Sequence, residues 1–198
     1  MMFTDAVAAL QEADGTREKY PVAYQHRRQD SLSDDDKAFI AQRESFYIAS
    51  VNSNGWPYIQ HRGGPRGLVK IIGDNMLACA DYRGNRQYIS MGNLQTNGRV
   101  SVFFMDYLNK ARLKVQGEAR LVAVKDADPD LIAQVQNPDL PVERVLTIKV
   151  IAMDWNCPKY IPDFFPKEIV TQVVSQKMGE LTQENEKLRA EIAALKGA

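Results

Sequence analysis

From residue 46 to about residue 166 the apolar positions come in short runs that read as strands, separated by turn signals. Residues 46–51 are a β-type run, Phe-Tyr-Ile-Ala-Ser-Val, followed by the hairpin turn pair Asn54-Gly55. Residues 56–61 are the returning strand, with Pro57 near its start, where a missing N–H is tolerated. Residues 68–72 and 76–80 form a second pair around Gly73, Asp74 and Asn75. A helix is expected over residues 85–97, with Tyr88, Ile89 and Leu94 on its apolar side. Strands follow at 99–105, at 113–124 after a turn at 107–111, and at 145–153. Between the last two, Asp128-Pro129 sets a cap residue before a proline at the first helical position, and the helix carries Leu131, Ile132 and Val135. Hairpin-linked strands with a few small helices predict an antiparallel barrel with helices packed outside.

The two ends differ from this middle. Residues 1–45 are polar and hold nine Asp/Glu against six Lys/Arg. Thr4 or Asp5 caps a short helix with Val7 and Leu10, ending near Gly15. Ser33 and Asp36 resemble a capping box with Asp in the place of Glu, opening a helix that bears Phe39 and Ile40. Residues 167–198 read as one helix. There Thr171, Val174, Met178, Leu181, Asn185, Leu188, Ile192 and Leu195 alternate in steps of three and four, an a/d heptad seam. Asn185 falls at an a position, and Glu184 with Arg189 and Glu191 with Lys196 fall at g and following e positions with opposite signs. That pattern predicts a parallel two-stranded coiled coil, and so a homodimer. The narrow seam favours it over a helix docked on its own domain, which would carry a broader apolar face.

Composition narrows the function classes. The 198 residues hold 25 basic and 25 acidic side chains, so a surface built throughout for nucleic acid or membrane is not expected. No stretch approaches the roughly 18 apolar residues of a membrane span. The first residues lack a basic start and a long apolar run, so they do not read as a secretory signal. Cys79 and Cys157 form no metal-ligand spacing, and reduced thiols in a cytoplasmic protein are expected. With His26 and His61 the only histidines, no metal site is expected.

Against that neutral background, residues 62–99 are locally basic. Arg62, Arg66, Lys70, Arg83, Arg86 and Arg99 face only Asp74 and Asp81. Arginine offers paired donors to a phosphate and lysine a point charge. Gly63, Gly64 and Gly67 allow close backbone approach, and Asn85, Arg86 and Gln87 would stand at the start of the expected helix, where an anion is favoured. On composition alone, a phosphorylated small molecule and ordinary surface charge remain open alternatives. Nucleic acid is the weaker alternative, although Tyr58, Tyr82 and Tyr88 lie nearby for stacking.

The runs His61-Arg62-Gly63-Gly64-Pro65-Arg66-Gly67, Asp81-Tyr82-Arg83-Gly84-Asn85-Arg86-Gln87 and Gly92-Asn93-Leu94 resemble the pyridoxamine 5'-phosphate oxidase-like FMN-binding split barrels. The strand Asn97-Gly98-Arg99-Val100-Ser101-Val102-Phe103-Phe104 is similar to the family's, with Gly98 where proline is usual. So is the strand end Gln116-Gly117-Glu118-Ala119. The resemblance implies a six-stranded antiparallel split barrel, so the chain is expected to be mainly β (α+β) in three parts: an N-terminal helical segment (1–45), the split barrel (46–166) and the coiled-coil helix (167–198). It implies a dimer with an FMN in each of two interfacial sites. Arg86 would hold the phosphate, helped by Arg62 or Lys70, with Asn85 and Gln87 donating nearby and His61 beside the ring. Arg112 falls where the family's oxidases place a glutamine close to the flavin. A cation there would stabilise the anionic reduced flavin.

True pyridoxamine phosphate oxidases also carry a C-terminal basic and histidine motif. Here the matching region is residues 155–162, and no histidine follows His61. The expected function is therefore FMN-dependent oxidation or reduction of a small molecule other than a B6 vitamer. The alternative is a non-catalytic sensor or carrier of flavin, haem or deazaflavin, with His61 the one placed haem ligand.

Overall fold

The computed structural model describes residues 2, 4–18, 30–155 and 158–196. His26 and Cys157 lie outside the described residues. Chain contacts group into two units, residues 1–106 with 111–158, and residues 107–110 with 159–198.

The first unit opens with α1 (Asp5–Ala13), capped by the Thr4 side chain, and α2 (Asp34–Ala41). The capping box is present. Ser33 Oγ accepts from the Asp36 N–H, and Asp36 Oδ2 accepts from the Ser33 N–H at 2.9 Å and from Ser33 Oγ at 2.6 Å. Asp36 is fully buried, and its Oδ1 accepts from the Trp155 indole N–H at 2.7 Å.

The strands are β1 (Ser45–Val51), β2 (Pro57–Gly63), β3 (Val69–Ile72), β4 (Met76–Tyr82), β5 (Arg99–Asp106), β6 (Ala111–Ala123) and β7 (Val142–Trp155). Helix α3 (Ile89–Thr96) lies between β4 and β5, and α4 (Pro129–Val135), capped by Asp128, between β6 and β7. All pairs are antiparallel, in the order β2-β1-β5-β6-β7-β4-β3. Two expectations need correction. The sheet has seven strands, not six, because β3 is a full partner of β4 along Val69–Cys79 to Ile72–Met76, turned by Gly73 at φ +63°. The barrel is also not closed: β2 and β3 end the sheet and share no ladder.

Strand alternation builds the core. Phe46 and Ile48, Val100, Val102 and Phe104, Leu113 and Val115, and Leu146, Ile148 and Val150 all point to one interior. In β4 the four residues from Leu77 to Ala80 are all buried, because α4 covers the outer side and packs Val135 on Ala78, Ala80 and Val145. Cys79 is sealed there, and burial pushes its thiol up to about 12.

The β6–β7 register shifts between Gln116 and Gly117, where Ile151 of β7 is the extra residue of a bulge. A Cβ on Gly117 would sit 2.6 Å from the Lys149 carbonyl oxygen and 2.7 Å from Ile148 Cγ2. Backbone cannot yield as a flexible side chain can. Gly117→Ala is expected to lower stability by about 1–3 kcal/mol, measured by urea unfolding with an unchanged m-value.

The second unit contains α5 (Lys167–Lys196), 30 residues long. The segment before it is tied locally, with Lys110 Nζ 2.8 Å from Asp163 and the Tyr107 and Phe164 rings 5.0 Å apart.

Candidate anion-binding site

Along β2 the side chains alternate. Tyr58, Gln60 and Arg62 are half-buried on one face, while Pro57, Ile59 and His61 are exposed on the other. The first face, the end of β4, the segment 83–88, the start of α3, Leu121 of β6 and Arg144 of β7 enclose a cleft of about 120 Å³.

Its charged floor is a clamp. Asp81 Oδ1 accepts from Arg62 Nη1 at 2.6 Å and Asp81 Oδ2 from Arg144 Nε at 2.6 Å. The β4–β7 register creates this contact by setting Asp81 directly across from Arg144. Arg144 Nη2 also pairs with Glu143 at 3.1 Å, and Glu143 stands 3.9 Å from both Arg83 Nε and Arg86 Nη2. Burial alone would weaken the charge of Arg144, but the hydrogen bond and the charge of Asp81, then Glu143, more than offset it and raise its pKa. Burial raises the Tyr82 phenol as well, with Cys79 adding to the effect. Four guanidinium groups thus meet two carboxylates, and the cleft keeps a positive excess. Arg62 Nε is buried and has no hydrogen-bond partner among the described residues. Arg86, with a half-exposed side chain and only a 3.9 Å contact, is held more loosely than Arg62 and Arg144, as is Arg83.

The helix expected to begin at Asn85 begins instead at Ile89. Two local features prevent the earlier start. Asn85 Oδ1 accepts from the Gln87 N–H at 3.2 Å, an Asx turn that uses the side chain locally. Arg86 and Tyr88 then take left-handed backbone, at φ +61° and +56°, which an α-helix cannot include. Each such non-glycine residue costs of order 1 kcal/mol or more, and such strain gathers at functional sites. Residues 85–88 therefore form a loop over the cleft rather than the first turn of a helix. The helix itself is anchored by Asn93 Nδ2 donating to Ser50 Oγ at 2.9 Å and by Ser90 Oγ donating to Gln60 Oε1 at 2.9 Å. The early N–H groups of α3, at Ile89 and Ser90, border the cleft.

Of the residues expected at the site, Arg62, Asn85, Arg86 and Gln87 come together here. His61 does not. It lies on the opposite face of β2, edge-on to Tyr47 with ring centroids 5.4 Å apart. Lys70 is exposed on the edge strand β3, paired with Ala78, and does not line the cleft. Arg112 pairs with Met105 near the start of β6. Leu121, which lines the cleft, lies nine residues further along that strand, about 30 Å of chain at strand rise. Register puts Arg112 on the same sheet face as His61, through the pairs His61–Tyr47, Tyr47–Phe103 and Met105–Arg112. Arg144 and Glu143 were not singled out from the sequence. They lie in no basic run, and only the pairing of β7 with β4 reveals them.

The sequence profile of the family described as pyridoxamine 5'-phosphate oxidase matches residues 32–154. No curated protein sequence matches significantly. Among solved structures, HupZ of Group A Streptococcus aligns with TM-score 0.48 and 14% identity, over 68% of this chain and 99% of that one. An FMN-binding protein of Syntrophomonas wolfei aligns with TM-score 0.44 and 15% identity, over 74% and 97%. A Clostridium acetobutylicum protein of the pyridoxinephosphate oxidase family, related to a general stress protein, aligns with TM-score 0.44 and 14% identity, over 69% and 94%.

Proposed function

Because the chain belongs to the pyridoxamine 5'-phosphate oxidase family, we propose that the cleft holds the phosphate end of FMN and that the protein is an FMN-dependent oxidoreductase acting on a small molecule. One observation carries this reading: two guanidinium groups are pre-set on one carboxylate beside the looser Arg86, with a net positive charge left over.

That donor set fits a phosphate dianion. Arg62 and Arg144 are already ordered by Asp81, so little side-chain entropy is lost when they receive the ligand. Arg86 can swing from its long contact with Glu143 to a charge-assisted bond. The first N–H groups of α3 add neutral donors. Tyr58, Tyr82 and Tyr88 line the same cleft and offer flat surface beyond the phosphate. FMN, when bound, supplies the electron-transfer chemistry. Among the described residues no histidine or cysteine lines the cleft, and in this reading the lining residues bind and orient. The absence of any histidine after His61 argues for a substrate other than a B6 vitamer.

In the same reading, two barrels pair. The outer sheet face that carries His61 and Arg112 also exposes Ile59, at 67%, and Tyr47, which supports approach of a second copy there.

The test is an absorption spectrum after FMN addition and desalting, with binding then measured for Arg86→Ala. Retained, shifted flavin bands are expected. Loss of one charge-assisted phosphate contact is worth about 1.5–3 kcal/mol, a weakening of roughly 10- to 150-fold. Unchanged affinity would remove Arg86 from the phosphate site. A haem band instead would move attention to His61. Oxidation of a reduced nicotinamide distinguishes an enzyme from a carrier that binds without turnover.

A further inference from the structure

Helix α5 runs unbroken from Lys167 to Lys196, about 45 Å at helical rise. None of its residues is buried. Most protein helices owe their stability to packing of an apolar face, and here that face is bare. Leu181, Leu188 and Ile192 are 48%, 49% and 51% exposed, on one line with Val174, Met178 and Leu195. The contacts within the helix are weak substitutes. Lys177 pairs with Glu180 at 3.0 Å and Lys187 with Glu191 at 4.0 Å, exposed pairs that add little.

We propose that this seam is covered by α5 of a second copy of the chain, as a parallel two-stranded coiled coil. The inference does not depend on the flavin reading. Charge and polarity choose the occupant and its direction. In a parallel pair, Glu184 meets the partner's Arg189 and Glu191 meets the partner's Lys196, each twice by symmetry. All four contacts are opposite in sign. Asn185 then faces its own twin, which satisfies both amides inside the seam. An antiparallel pair with full overlap sets Asn185 against Leu181, leaving the amide without a polar partner, and brings Glu184 against Glu184. The uniform leucines at d, with one asparagine at a, match a two-stranded assembly.

The test uses the full chain carrying Cys157→Ser, so that the remaining native thiol, Cys79, is buried. Leu195→Cys is added at a d position on an exposed helix end, where it does not threaten the fold. In the parallel coil the two introduced thiols are neighbours and oxidation converts the monomer band to a disulfide-linked dimer. Lys187→Cys, on the outer side, remains monomeric under the same oxidation. Adding Leu188→Asp to Leu195→Cys abolishes the cross-link. A Leu195→Cys chain that stays monomeric overturns the proposal. So does a Thr171→Cys/Leu195→Cys chain whose peptide map shows 171–195 links without 195–195 links, since that pattern belongs to the antiparallel arrangement.

Discussion

Asp36→Ala lowers the unfolding free energy by about 3–5 kcal/mol, a larger loss than any other single change considered for this fold. The carboxylate is fully buried and accepts from the Trp155 indole N–H, the Ser33 N–H and the Ser33 hydroxyl. Removing it leaves donors in the interior with nothing to replace them, each costing about 1–3 kcal/mol if water cannot enter. The capping box of α2 goes as well, at about 1 kcal/mol. The same contact fixes the Trp155 ring against Phe39, with centroids 4.6 Å apart, and Arg43 in turn lies 4.5 Å from the Phe39 centroid. Asp36→Asn retains the shape but turns amide hydrogens toward the Ser33 donors, so it should fall between wild type and alanine. Urea unfolding followed by far-UV dichroism measures all three. A loss below about 1 kcal/mol for Asp36→Ala would mean that water or a neighbour takes over the carboxylate's role.

Arg62→Ala is expected to weaken FMN binding by about 100-fold or more, exceeding the loss from Arg86→Ala. Two effects combine. In the proposed site a charge-assisted donor disappears, and Asp81, which shared its charge between Arg62 and Arg144 at 2.6 Å each, is left with one partner and would face the phosphate. The second effect has a signature. Adding Asp81→Asn to Arg62→Ala removes the repulsion, so the double variant should bind more tightly than Arg62→Ala alone. Strict additivity of the two losses in a titration at fixed salt would show that Asp81 does not act through Arg62. An Arg62→Ala protein that binds FMN as the wild type does would take Arg62 out of the site altogether.

The features legible in the sequence are those decided within a few residues. The Ser33/Asp36 box, the Asp128 cap and the Asn54-Gly55 turn all form where expected, because each is a contract between near neighbours. The alternation in β1 likewise places Phe46 and Ile48 inward and Tyr47 outward. The start of α3 was not legible, since Asn85 can cap a helix or close an Asx turn, and the left-handed backbone of Arg86 and Tyr88 has no residue signature. Four of the seven expected site residues converge because they lie on one strand face and the adjoining loop. Arg144 could not be read at all. Its partner Asp81 is 63 residues away, and only the β4–β7 ladder joins them.

That separation governs when the site can exist during synthesis. The β1–β2 and β3–β4 hairpins can close as soon as they leave the ribosome, because their partners are local. β4, however, gains its second neighbour only when β7 emerges, and Trp155 must close a span of 119 residues to reach Asp36. Such long-range pairings carry loop-closure entropy and slow folding. A nascent chain stopped before Val142 would carry Arg62 on β2 and Asp81 on β4 in two hairpins that no ladder yet joins. The cleft is thus assembled by the last strand made, and a ligand can stabilise the fold only after the sheet is complete.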